Sequence, residues 1–229
     1  KEQKTEEESW VITLTAQIPK LDTQKKACEE LSEIRRKNAA VLTQKLKDAL
    51  IGLNFLTVEF DIAVRPGQAI TTKGYDDVEF LISTNPGESL KPLNQVASGG
   101  ELSRVMLAIK TVLAGKDAID TLIFDEIDTG ISGRTAWKVA EQLSILAGAH
   151  QVICITHLPQ IAALADSHDK IEKAEKDGKT FTVVKELDRQ GRRMELARLY
   201  GGDVITETTL AGAEEQLAAA DKYKLTRND

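Results

Sequence analysis

Three short stretches carry residues that could do chemistry together. The run Thr121-Leu122-Ile123-Phe124 leads into Asp125-Glu126, and the run Gln151 to Ile155 leads into Thr156-His157. In parallel α/β sheets, ligands bind at the carboxyl ends of the strands, so two carboxylates and an imidazole are expected at one rim. Such a set can manage a divalent cation and a water, and one carboxylate can take the proton of a nucleophile. Taken alone, Asp125 reads as a cap on the next turn and His157 as a satisfied core histidine. Their occurrence at matching strand ends, one crossover apart, favours a site. The third stretch, Ser98-Gly99-Gly100-Glu101, opens a helix. Ser-x-x-Glu is a capping box. A cap does not need two glycines inside it, and they weaken the first turn. They do let a ligand approach the backbone closely. Bare N–H groups and a hydroxyl at a helix start suit an anion, phosphate above all.

The elements that must position these residues follow from periodicity. Leu102, Val105, Met106, Ile109 and Val112 give Glu101 to Ala114 one apolar helical face. Thr121 to Phe124 and Gln151 to Thr156 read as strands buried on both faces, with a helix over Thr135 to Ala147 between them. Strand, helix, strand predicts a right-handed βαβ unit and a parallel sheet. Upstream, Val58, Phe60, Ile62 and Val64 alternate, Val78 to Ser83 is β-prone, and Pro66-Gly67, Lys73-Gly74 and Asn85-Pro86-Gly87 mark turns. This predicts a small antiparallel sheet over about Leu53 to Asn94. Before Gly52, Leu31, Ile34, Val41, Leu42, Leu46 and Leu50 recur at helical spacing. They predict a long amphipathic helix, either one arm of a coiled coil or a helix packed on its own domain. Trp10 to Thr15 is β-branched and followed by Pro19; it fits no clean heptad and is assigned to no element. Downstream, Asp177-Gly178 between Asp169 to Ile171 and Phe181 to Leu187 predicts a hairpin. Helices around Met194 to Tyr200 and Glu207 to Lys222 follow, the first stopped by Gly201-Gly202.

Composition narrows the function. Of 229 residues, 41% are hydrophobic, enough for a real core, while the net charge of -6 argues against a broad DNA footprint on this chain. Cys28 and Cys154 are far apart and form no C-x-x-C pair, so neither zinc nor redox chemistry is indicated. Cys154 reads as a small core residue, and free thiols suit a reducing cytoplasm. No stretch is long and apolar enough to span a bilayer. The charged start, Lys1 to Glu8, is no signal peptide, and its lack of Met suits a fragment. The sequence has no G-x-x-x-x-G-K-[ST]; Gly115-Lys116 lacks the preceding glycine and is followed by Asp117. There are carboxylates for a metal and a water, but no loop to cradle β- and γ-phosphates.

With these residues in place, a family resemblance emerges. Ala97-Ser98-Gly99-Gly100-Glu101-Leu102-Ser103-Arg104 resembles the signature motif of ABC-type ATPases. Thr121 to Glu126 resembles their Walker B strand, Ile127 to Ser132 their D-loop, and His157 their switch histidine. The longer runs Phe124 to Gly133 and Ile155 to Ala162 resemble the SMC-like members of that family that act in bacterial DNA repair. The resemblance covers roughly Leu53 to the C-terminal helix. The helix before Gly52 is similar to the family's returning coiled-coil arm in composition only.

The resemblance implies an α/β fold, the C-terminal lobe of an ABC/SMC-type P-loop ATPase head. It would have a parallel sheet with flanking helices, a small antiparallel β region and an N-terminal coiled-coil helix. Residues 1–52 would be an arm stub and residues 53–229 the half-head. It implies ATP and Mg²⁺. Asp125 would orient the metal, and Glu126 would be the general base. Ser98, Gly99 and Gly100, with Glu101 behind them, would meet the γ-phosphate of ATP on an opposing head. Asp128 would couple the two sites across the dimer, and His157 would sense the γ-phosphate. The implied partners are the N-terminal half of the same head with Walker A and the Q-loop, a second head, and DNA through the full protein. No membrane is implied, and the setting would be the cytoplasm at the nucleoid. Three other readings stay open: a half-head of another SMC or ABC machine, a non-catalytic dimerisation module, and a metal-dependent hydrolase using Asp125, Glu126 and His157. The last matches no established ligand spacing.

Overall fold

The computed structural model describes the backbone of residues 2–96, 98–114, 116, 118–176 and 179–227, and within them all side chains except those of residues 2–19, 176 and 227. Ala97, Gly115, Asp117 and the expected Asp177-Gly178 turn lie outside the described residues. The chain divides into two compact units, residues 1–48 with 56–95, and residues 49–55 with 96–229.

The first unit is built on α1 (Glu2–Gly52) as far as Asp48; the last turn of the helix belongs to the second unit. Its helical backbone runs through Trp10 to Thr15 and past Pro19, the segment for which the sequence pattern predicts no element. The expected apolar stripe is only partly used. Leu46 is buried, but Ile34 and Val41 are exposed, and midway along the helix the buried residues are Cys28 and Ser32. These two are four apart, on one helical face. They face a polar anchor. Ser32 Oγ donates to Asp76 Oδ1 at 2.5 Å and lies 2.9 Å from Cys28 O. Arg35 donates from Nη1 to Asp76 Oδ2 at 2.8 Å and from Nη2 to Lys73 O at 2.7 Å. Asp76 lies in the antiparallel sheet that alternation predicts: β1 (Glu59–Thr71) pairs with β2 (Gly74–Ser83), and β2 pairs with the short β3 (Lys91–Pro92). Phe60 opposes Ile82 and Ile62 opposes Phe80, so period-two alternation puts Phe60, Ile62 and Ile82 in the core. The turn before β2 needs glycine: Gly74 has φ +93°, and a Cβ there would lie 2.9 Å from Leu31 Cδ2.

The second unit carries α2 (Gly99–Val112), β4 (Thr121–Phe124), α3 (Gly133–Leu146) and β5 (Gln151–Cys154). β4 and β5 pair in parallel, Thr121 with Gln151 through Phe124 with Cys154, which is the βαβ unit the pattern predicts. The expectation of strands buried on both faces does not hold. Leu122 and Phe124 are buried, but Ile123 is 67% exposed, and Ile153 and Ile155 are also exposed. The reason is physical. The described residues contribute two strands here, and they cover one face of the pair. α4 (Pro159–Leu164) follows β5, and the hairpin β6 (Asp169–Lys176) with β7 (Lys179–Glu186) comes next. α5 (Arg189–Gly201) and α6 (Glu207–Arg227) close the chain. Arg192 Nη2 donates to Ala163 O and Ala165 O, at 3.0 and 2.8 Å, and Lys224 Nζ donates to Ala165 O at 3.0 Å. These cations satisfy carbonyls at the C-terminal end of α4, where the helix leaves acceptors bare.

Candidate functional site at the carboxyl end of the parallel pair

Ser98 is the N-cap of α2. Its backbone is extended, and its Oγ accepts from Glu101 N at 3.4 Å. The structural half of the dual reading is therefore present, and the glycines have a packing reason of their own. A Cβ on Gly100 would sit 2.9 Å from Thr129 Cβ and 3.0 Å from Glu126 O. A Cβ on Gly99 would sit 2.7 Å from Glu126 Oε2. The first turn of α2 is thus pressed against the loop that follows β4, with the Glu126 carboxylate against Gly99.

That loop is held at several points. Asp125 Oδ1 accepts from Glu126 N at 2.9 Å, and Ser103 Oγ donates to Asp125 O at 2.9 Å. Glu126 has φ +58°. A non-glycine residue in the left-handed region costs on the order of 1 kcal/mol, and such residues gather at functional sites. Thr129 N donates to Glu126 O at 3.0 Å, closing the turn. Arg104, four residues into the helix from Gly100 and 7% exposed, donates from Nη1 to Ile127 O at 3.3 Å and to Thr129 O at 2.8 Å. Its guanidinium lies 5.5 Å from the centre of the Phe55 ring, within cation–π range. Burial pushes the Arg104 pKa down, opposed by the charge of Glu101; a guanidinium stays charged regardless.

Asp128 is the hub. It is 4% exposed, and its Oδ2 accepts from Thr156 Oγ1 at 2.6 Å and from His157 N at 2.8 Å. The His157 ring, 72% exposed, places Nδ1 3.0 Å from the same oxygen. The loop after β4 and the segment after β5 are thus tied through one carboxylate. The sequence pattern predicts two carboxylates and an imidazole at one rim, and the carboxylate that meets the imidazole is Asp128. Asp125 bonds instead to the next backbone N–H, and Glu126 rests on Gly99. Three residues given no role in the sequence reading matter here. Thr156 and Ser103 bond to the loop carrying Asp125 to Asp128. Arg104 had a signal in the pattern: a lone cation on the face shared with Gly100, Leu107 and Ala108, all buried.

Chemically, the arrangement suits an anion near the start of α2 once the Glu126 carboxylate moves aside. The exposed Asp125 carboxylate is the donor type a hard divalent cation takes. Among the described residues, no three His, Cys, Asp or Glu side chains gather as a metal site. A Mg²⁺ near Asp125 would draw its ligands from phosphate oxygens and water. Cys154 offers no nucleophile: burial foremost, then Asp128 and Asp125, pushes its thiol up to about 12. No described helix is long and apolar enough to cross a membrane.

No family model matches the chain. The DNA repair protein RecN of Bacillus subtilis (strain 168) is 51% identical over 157 residues, covering 69% of this chain and 27% of that protein. The DNA repair protein RecN of Vibrio cholerae serotype O1 is 45% identical over 195 residues, covering 85% of this chain and 35% of that protein. Among solved structures, the Smc head domain with a coiled coil and joint from Pyrococcus yayanosii aligns with 82% of this chain and 36% of that chain, at 19% identity and a TM-score of 0.49. The chain spans about a third of the length of the curated relatives it matches. Over that span, the chain belongs by sequence to the RecN family.

Proposed function

We propose that the chain is the C-terminal half of the ATP-binding and hydrolysing head of an SMC-like protein for DNA double-strand-break repair and recombination, with ATP sandwiched between two heads. The observation that carries this reading is the gathering of Ser98-Gly99-Gly100, Asp125-Glu126 and the Asp128–His157 tie on the loops at one end of β4 and β5. The uncovered face bearing Ile123, Ile153 and Ile155 supports the half-head part, since a further segment of the head would shield it.

In this reading Glu126 accepts the proton of the attacking water, and Asp125 holds Mg²⁺ through a water. Bound Mg²⁺ would neutralise charge building on the phosphates. Ser98, Gly99 and Gly100, with Glu101 in the same turn, meet the γ-phosphate held by the opposing head, where phosphoryl transfer needs positioned donors. Asp128 couples the two sites, and His157 senses the γ-phosphate. The Glu126 side chain must leave Gly99 before phosphate arrives, a change its flexible chain can make. Residues 1–52 are the stub of a coiled-coil arm, and 53–229 the half-head. The missing half supplies Walker A and the Q-loop. DNA is engaged by the full-length protein, in the cytoplasm at the nucleoid.

The test is reconstitution. This chain alone is expected to show no ATP turnover, and adding the N-terminal half should restore it. In the restored pair, Glu126→Gln should lower turnover about 100-fold or more. Unchanged turnover after that substitution would remove Glu126 as the base. ATP-dependent pairing with no turnover would point to a non-catalytic dimerisation module instead.

A further inference from the structure

We propose that Arg104 is a positioning residue for ATP turnover: held under the Phe55 ring, it grips the loop that carries Asp128 and couples that loop to the last turn of α1. The inference rests on the ATPase reading above for its consequence, though not for its geometry.

Both ends of the link are visible. At one end, Phe55 is buried, and its N–H donates to Leu50 O at 3.1 Å, so its backbone is tied to the end of α1. At the other, Nη1 of Arg104 serves Ile127 O and Thr129 O, the carbonyls on either side of Asp128. A planar cation that stacks on an aromatic ring and reaches two carbonyls is a task for arginine rather than lysine. The surroundings leave little slack. Gly100, one helical turn before Arg104, is in close contact with Thr129 and with the Glu126 carbonyl. Ile127 is fully buried. Asp128 in turn fixes Thr156 and the His157 backbone. A displacement of the α1 end therefore reaches the switch histidine through Phe55, Arg104 and the loop, all within one compact unit. Arg104 touches no reacting atom in this scheme; it acts through Asp128.

Two measurements on the full-length protein test this. The first is amide hydrogen exchange, which needs no nucleotide. Arg104→Lys should speed exchange at Thr129 and Ile131, whose N–H groups close the loop turns, by about tenfold, with α2 unchanged. Phe55→Leu should do the same to a smaller degree. Unchanged loop exchange in Arg104→Lys overturns the grip, and unchanged loop exchange in Phe55→Leu overturns the link to α1. The second is steady-state turnover. Arg104→Lys should lower kcat about tenfold while KM for ATP stays within about twofold, the mark of lost positioning rather than lost binding. Looser exchange with an unaltered kcat, in a protein that Glu126→Gln inactivates, overturns the coupling to turnover. Turnover that survives Glu126→Gln instead condemns the ATPase assignment of Glu126 and leaves the exchange result to judge Arg104. Should Arg104→Lys not fold, Phe55→Leu carries both measurements.

Discussion

Asp76 in the first unit and Asp128 in the second are both covered aspartates that tie two segments together, and they differ in what balances their charge. Asp76, with its side chain 0% exposed, takes a hydroxyl from Ser32 on one oxygen and the Arg35 guanidinium on the other. That is a closed lock. The Ser32 hydrogen bond foremost, with the Arg35 bond and charge beside it, holds the carboxyl below its ordinary value of 3.8 against the opposing effect of burial. Asp128 directs three contacts to one oxygen, and the donors are a threonine hydroxyl, a backbone N–H and an exposed histidine ring. No lysine or arginine among the described residues pairs with it. A lock needs its cation; under the proposed reading, a hub that responds to a ligand does better with donors that carry no fixed charge and one exposed partner. The contrast teaches that burial of an acid does not by itself mark a site, and that the identity of its partners does.

The largest effect should come from opening the hub. Asp128→Ala leaves the Thr156 hydroxyl and the His157 N–H without their acceptor, which should cost about 1–3 kcal/mol of stability. Asp128→Asn keeps an acceptor oxygen and should recover most of that stability without recovering turnover. Denaturant unfolding and ATP turnover of the full-length protein check both. If Asp128→Asn regains both properties, the negative charge is immaterial and the comparison with Asp76 collapses.

Opening the lock should cost less. Asp76→Ala releases Arg35, whose side chain is 29% exposed and can reach water, so about 1–2 kcal/mol is expected. The loss should appear as faster amide exchange in β1, β2 and the middle of α1. The pH dependence tests the lock further. Because the folded carboxyl titrates below 3.8, its contribution is fully present above that value and is lost as pH falls through the lower folded pKa. The stability gap between the natural protein and Asp76→Asn should therefore be level from neutral pH down to about pH 5 and shrink below about pH 4. A gap that widens on acidification would mean that Asp76 is not the anion the lock requires.

The lock was illegible in the sequence, while much of the hub was not, and sequence separation explains both. Ser32 and Asp76 are 44 positions apart on different kinds of element, and nothing local about either announces the other. The strand ends at Asp125-Glu126 and Thr156-His157 were legible because apolar runs and the βαβ rule put them at one rim. What failed there was depth. Thr121 to Phe124 reads as a strand covered on both sides, yet Ile123 is open, because a strand's burial depends on neighbours that the run itself does not contain. In α1, Ile34 and Val41 continue the apolar pattern but are exposed, and the polar Ser32 is buried instead. Periodicity identifies a face; it does not say which part of that face meets a partner. The mutual fit of Gly99 and Glu126 depends on a left-handed φ at a glutamate, which sequence preference disfavours.

The two glycines that open α2 repeat the contrast between lock and hub on a smaller scale. Gly100 is closed: an added methyl would meet Thr129 Cβ at 2.9 Å and the Glu126 carbonyl at 3.0 Å, and neither can step aside without moving backbone. Gly100→Ala should therefore cost about 1–3 kcal/mol, as overpacking does. Gly99 is open: its methyl would meet only the Glu126 carboxylate, Oε2 at 2.7 Å and Cδ at 3.9 Å, the far end of a flexible side chain. The carboxylate can rotate off, and alanine suits a helix's first turn better than glycine. Gly99→Ala should thus change stability by no more than about 0.5 kcal/mol, the smallest effect here, because the propensity gain offsets the displaced contact. Paired unfolding curves decide it. Equal losses at both positions would mean that Glu126 is as fixed as the Thr129 backbone, and that a carboxylate so held could not swing away to serve a water.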